Sequence, residues 1–189
     1  MNSSYLQNNY GDVFYSVVTT YPPVIAVELG VLHGYSTIHI AKAIQHNKYG
    51  HLNSYDLFED YQYNHGRLEE VQKELTDQGL QEFVTLNKGD AFKAYENYQD
   101  NTVHFLHVDL SNTGEILKKI FEQWDSKMVQ GGIVLFEGGS EDRDKIEWMI
   151  KYNKPPIKPE LENNKIINER YVYGTYLKYP SLTMFLKKR

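Results

Sequence analysis

Five acids, Glu28, Asp56, Asp90, Asp109 and Glu137, each come at or just after the end of a predicted strand of this 189-residue sequence. Carboxylates in such places accept hydrogen bonds from hydroxyl and amino groups and offer negative charge to a cationic ligand. The first lies in Val27-Glu28-Leu29-Gly30-Val31-Leu32-His33-Gly34-Tyr35-Ser36. Glycines four residues apart there let backbone approach a bound molecule closely. The spacing is not the dinucleotide fingerprint G-x-G-x-x-G, and no Gly-Lys-Ser/Thr follows as a phosphate-binding loop would require. With Val31 and Leu32 crowding the turn, it suits a ligand without a pyrophosphate. A single acid after a strand is often only a helix N-cap. Five in a row fit that account less well, because glutamate is a poor cap and two of the five are Glu.

The elements that must position these residues alternate. Val13, Phe14, Val17 and Val18 have helical spacing in a leading segment, residues 1–22, closed by Pro22-Pro23. A buried strand is predicted at 24–29, a helix over 36–44, a strand at 51–56 and a helix over 64–78 stopped by Gly79. Strands follow at 83–87 and 103–108. A helix over 113–124 has Ile116, Leu117, Ile120, Phe121 and Trp124 on one face, with Asn112 and Glu115 placed as a capping box. Gly131-Gly132 introduces a strand at 133–136, a helix is expected over 140–152, and a hairpin over 171–178 and 182–186 closes the pattern. Strand–helix alternation predicts a mainly parallel α/β sheet with helices on both faces and a C-terminal antiparallel hairpin, within one domain over residues 1–189. Ligands of such sheets bind outside the carboxyl ends of the strands, where the acids fall.

Composition narrows the chemistry. The absence of cysteine excludes disulfides, zinc–thiolate sites and thiol nucleophiles. Hydrophobic residues at 41% and charged ones at 24% suffice for a real core. The longest apolar runs are far too short for a membrane span, and residues 1–20 have no signal-peptide pattern, so a cytoplasmic location is expected. A net charge of −5 without a basic stripe argues against a nucleic-acid backbone binder.

On these residues the sequence resembles the class I S-adenosylmethionine-dependent methyltransferases, a Rossmann-like family, and most of all its small O-methyltransferases. The match is to the E/D-x-G-x-x-x-G loop (Glu28 to Gly34), the acid ending the second strand (Asp56), Gly89-Asp90-Ala91 after the third, and Asp109 after the fourth. The resemblance implies S-adenosylmethionine as cofactor and, as acceptor, an oxygen of a small molecule or sugar. It gives the loop, including Tyr35 and Ser36, to the methionine part with Glu28 facing its ammonium. It gives Asp56 to both ribose hydroxyls and Asp90 with Ala91 to the adenine, and sets Asp109 at the cofactor's edge.

Methyl transfer to oxygen requires that the acceptor lose its proton to a base or to a metal-assisted site. Two arrangements are open. In one, Asp109 and Glu137 hold a divalent cation such as Mg²⁺, although Glu137-Gly138-Gly139 stands where catechol-type relatives have an acid–Asn pair. Asn112 or Asp142 would then complete the shell. In the other, His107 or His33 is the base, against the simpler account of a core histidine. Trp148 and Met149 read as packing. The Asn/Asp/Ser-Pro-Pro-Tyr/Phe tetrapeptide of amino-methylating DNA enzymes is missing, since Asp109-Leu110-Ser111-Asn112 fills its place. Sixteen tyrosines suit strand surfaces, stacking on an acceptor or an interface between copies in a homo-oligomer. The competing readings are a methyltransferase-like domain that binds a nucleoside or metabolite without turnover, a metal-dependent relative using Asp109 and Glu137, and a nicotinamide oxidoreductase, which the absent G-x-G-x-x-G opposes.

Overall fold

The computed structural model describes residues 3–189, arranged as two compact units that divide between Ala94 and Tyr95. In the first unit, α1 (Tyr10–Thr20) ends just before the proline pair and packs on α2 (Tyr35–Asn47). The strands β1 (Ile25–Leu29), β2 (His51–Asp56) and β3 (Val84–Lys88) are parallel in the order β3-β2-β1, and α3 (Leu68–Asp77) joins the last two. Register sets Glu28 beside Ser54, and Asp56 beside Lys88. A continuous apolar run forms β1 because both of its faces are covered: Ala26, Val27 and Leu29 have no exposure.

The second unit begins its sheet with β4 (Val103–Val108), followed by α4 (Gly114–Trp124) and β5 (Met128–Glu137) parallel to it. Leu117, Ile120, Phe121 and Trp124 make the buried face of α4. Four short helices follow, α5 (Glu141–Asp144), α6 (Glu147–Lys151), α7 (Ile157–Asn163) and α8 (Lys165–Arg170). Then come β6 (Tyr171–Tyr176) and β7 (Leu182–Lys187), in the strand order β4-β5-β7-β6, with β7 antiparallel to both neighbours. Within each unit the strands that alternate with helices are thus parallel, and the second unit ends in the expected C-terminal antiparallel pair.

Several boundaries differ from the sequence reading for local reasons. Thr113, not Asn112, caps α4, its hydroxyl accepting from the Ile116 N–H at 3.3 Å. Gly131-Gly132 lies inside β5 rather than before it. The helix expected over 140–152 breaks into α5 and α6 around Lys145 and Ile146. A 3-10 turn, Ala91–Asn97, follows β3. Helices α7 and α8 have no strong periodic signal. The start of α7 depends on a distant acid: Asp144 accepts from the N–H groups of Ile157 and Lys158 at 2.7 and 2.8 Å. Among the described residues no helix is long and apolar enough to cross a membrane.

Candidate active site

The glycine loop of the first unit is held by two carboxylates. Glu28, with no exposure, accepts from the hydroxyls of Ser36 (2.6 Å), Thr37 (2.7 Å) and Ser54 (2.7 Å). One buried acid therefore joins the end of β1 to the start of α2 and to β2. This corrects two assignments: Glu28 is turned into the fold rather than toward a ligand's ammonium, and the Ser36 hydroxyl is spent on Glu28. Tyr35 is likewise turned inward. Its hydroxyl accepts from the Gly11 N–H at 3.1 Å, and its ring lies 4.7 Å from that of His39.

Asp56 shapes the outer side of the loop. Its Oδ2 accepts from the Val31 and Leu32 N–H groups at 2.7 and 3.1 Å, and Oδ1 from the Phe58 N–H at 2.6 Å. A carboxylate has about four acceptor positions, so three amides leave room for one further donor. Asp56 can take one ribose hydroxyl as it stands, not the two expected. Leu32 and Phe58 carry φ of 50° on either side of this carboxylate, although neither is glycine. Such conformations persist only where surroundings over-determine them, and they concentrate at ligand sites.

At Gly34 the chain turns into α2 with φ 78°, and its N–H donates to the Val31 carbonyl at 2.8 Å. An added Cβ would also stand 2.9 Å from a Val71 methyl group. A glycine missed in the sequence, Gly66, is tighter still: a Cβ there would lie 1.6 Å from the Leu32 carbonyl oxygen. Gly66→Ala must push this loop aside, so affinity for S-adenosylhomocysteine should fall at least about tenfold, with about 1–3 kcal/mol lost in stability. Calorimetric titration and urea unfolding check this, and unchanged affinity would show that the loop is not the ligand site. The only sequence signal was an isolated glycine in the polar run Asn64-His65-Gly66-Arg67.

Farther along the unit, Asp90 is exposed and accepts from the Phe92 N–H at 2.9 Å, while Ala91 is buried. Lys88 bridges Glu59 (2.8 Å) and Asp60 (2.9 Å), and its hydrogen bond holds the Glu59 carboxyl down at about 2. His33 is half-buried in the loop.

The second unit gathers Asp109, Glu137 and Arg143. Glu137, at the end of β5, receives the Arg143 Nε at 2.5 Å and Nη2 at 2.9 Å, and both side chains are about 5% exposed. Burial pushes the Glu137 carboxyl up, the Arg143 hydrogen bonds pull it back, and the charge of Asp109 adds to the rise. Between the partners, Gly138 and Gly139 turn with φ of 112° and 111°. The turn is fastened to the hairpin by the Gly138 N–H on the Ser181 carbonyl (3.0 Å) and the Thr183 hydroxyl on the Gly138 carbonyl (2.7 Å). The glycine pair therefore serves this packing.

This arrangement does not fit a divalent cation. Both oxygens of Glu137 are engaged by a guanidinium. Asn112 is fully buried and bridges the Val108 and Glu137 carbonyls at 3.1 and 2.9 Å, while its oxygen accepts from the Leu110 N–H. Asp142 is exposed. Among the described residues no group of three or more His, Asp or Glu side chains could hold an ion. His107 is buried inside β4 with no exposure, which removes it as a solvent-reached base. Arg143, the residue missed here, had one legible signal: an opposite charge six positions after Glu137 across a glycine turn. Trp148 is not mere packing, since its ring lies 5.3 Å from the Arg143 guanidinium carbon.

The sequence pattern of a methyltransferase domain family matches residues 27–137, and the chain belongs to that family. The class is that of the S-adenosylmethionine-dependent methyltransferases. No curated protein matches the sequence. Solved structures with the same fold include the O-methyltransferase from Bacillus cereus in complex with S-adenosylhomocysteine (TM-score 0.71, 16% identity, 96% of this chain and 81% of that one). The O-methyltransferase TomG from Streptomyces achromogenes, involved in tomaymycin synthesis and complexed with S-adenosylmethionine, gives 0.70 at 15% identity, covering 96% and 80%. The methyltransferase PaMTH1 from Podospora anserina, bound to S-adenosylhomocysteine, gives 0.69 at 14% identity, covering 100% and 80%.

Proposed function

We propose that this enzyme methylates an oxygen of a small molecule, with the cofactor held by the loop from Gly30 to Gly34, by Asp56, and by Asp90 with Ala91. The observation that carries the reading is the glycine loop fastened by Val31 and Leu32 to Asp56, with one acceptor position on that carboxylate open for a ribose hydroxyl. Bound S-adenosylmethionine supplies a methyl group on a cationic sulfonium, ready for in-line displacement. The chain's own part is positioning: a loop fixed from below by Glu28 and from outside by Asp56 loses little freedom when the ligand arrives. Of the two candidate histidines, His33 is half-buried in the loop, whereas His107 is enclosed. The bound cofactors and the O-methyltransferase names of the structural relatives support the reading.

Isothermal titration with S-adenosylmethionine, S-adenosylhomocysteine and NAD tests it. Saturable binding of the two sulfur nucleotides without NAD is expected. Asp56→Ala should weaken that binding by about 10–100-fold, the equivalent of one charge-assisted hydrogen bond. Binding of NAD alone, or unchanged affinity in Asp56→Ala, would overturn the cofactor assignment.

A further inference from the structure

Arginine carries five N–H donors, and in Arg143 three of its nitrogens are treated differently. Nε and Nη2 are fixed on Glu137, whereas Nη1 is buried with no hydrogen-bond partner. A buried unpaired donor on a charged group is costly, and one that persists calls for an explanation. The surroundings select what it would accept. The Glu137 carboxylate fixes the plane of the guanidinium, and Trp148 lies against it. A positive group locked in orientation, with one edge unused, matches a single anionic oxygen.

We propose that Arg143 is the fixed cation of the acceptor site, in place of the divalent ion that one of the two arrangements would put on Glu137, and that its Nη1 binds the ionised oxygen of a weakly acidic, phenol-type hydroxyl. The inference rests on the reading of this chain as an O-methyltransferase and names the acceptor class. Only binding and ionisation are assigned: the hydroxyl proton passes to solvent, and the oxygen keeps its electron pair and meets Nη1. Because Nη1 is closed off from solvent, the acceptor must displace the groups that cover it.

The test uses 4-nitrophenol, whose absorbance distinguishes phenol from phenolate, added to protein saturated with S-adenosylhomocysteine at a pH below the probe's own pKa. Wild type should bind it as phenolate, with the same affinity in EDTA as with added Mg²⁺. The double variant Glu137→Leu/Arg143→Met removes the pair together, a replacement that buried ion pairs tolerate, and should bind the probe at least about tenfold more weakly. Its titration with S-adenosylhomocysteine should match wild type, because neither Glu137 nor Arg143 is among the residues assigned to that ligand. Probe bound as neutral phenol, phenolate seen only with Mg²⁺, or equal affinity in the double variant would overturn the proposal. The wild-type arms need no variant to fold. Failure of S-adenosylhomocysteine to bind either protein would instead strike the methyltransferase reading itself.

Discussion

Arg143→Met alone should destabilise the second unit by about 3–5 kcal/mol, the usual cost of leaving one partner of a buried ion pair behind. Glu137 would remain about 5% exposed with no opposing charge, and hydrophobic contact from methionine would not offset that. The loss should depend on pH. Burial already raises the Glu137 carboxyl to about 7, and Arg143 restrains the rise, so removing Arg143 sends it higher. A carboxyl whose pKa is raised on folding binds its proton more tightly in the folded state than in the unfolded one. Stability from that proton is present at low pH and is lost as pH climbs through the folded value. The gap between Arg143→Met and wild type should therefore be small in acid and widen toward alkaline pH. Urea unfolding of both proteins across that range measures it. A gap independent of pH would mean that Glu137 is not the group left stranded.

Glu28→Ala should be nearly as damaging, at about 3–5 kcal/mol, for a different reason. Three buried hydroxyls lose a shared acceptor, at about 1–3 kcal/mol each before any of them turns back to a backbone carbonyl. Glu28→Gln keeps the shape and lets the amide donate to one hydroxyl, so about 1–2 kcal/mol is expected. The alanine variant should also bind S-adenosylhomocysteine more weakly, because Ser36, Thr37 and Ser54 anchor opposite sides of the loop through this one side chain. Chemical unfolding alongside calorimetry distinguishes the two effects. Wild-type stability in Glu28→Ala would mean that the three hydroxyls find other partners at no cost.

The contrast between these residues explains how far the sequence could be read. Strand–helix alternation placed β2 and β4 correctly, because apolar runs and helical faces are written in consecutive residues. The glycine loop was legible for the same reason: its spacing is local. What escaped was settled by contacts across the fold. Whether Glu28 faces a ligand or the interior depends on Ser54, twenty-six positions away and aligned only by strand register. Tyr35 looked like a loop residue until its hydroxyl met Gly11 in α1. The start of α7 takes its cap from Asp144, and the role of Arg143 follows from how the Gly138-Gly139 turn folds back. Carboxylates are easy to find in a sequence; which way they point is not.

The strand order of the second unit also orders its assembly. Among the described residues β6 pairs only with β7, and β7 stands between it and β5. Chain order is thus reversed in space: β6 comes first along the backbone yet has no place in the sheet until β7 has zipped against β5. The β6–β7 pairing is local in sequence and costs little loop-closure entropy, whereas seating β7 on β5 must close the far longer segment from α5 to β6. The helices α5 to α8, which carry Arg143 and its supports, are strung between β5 and β6, so that one long closure enfolds them.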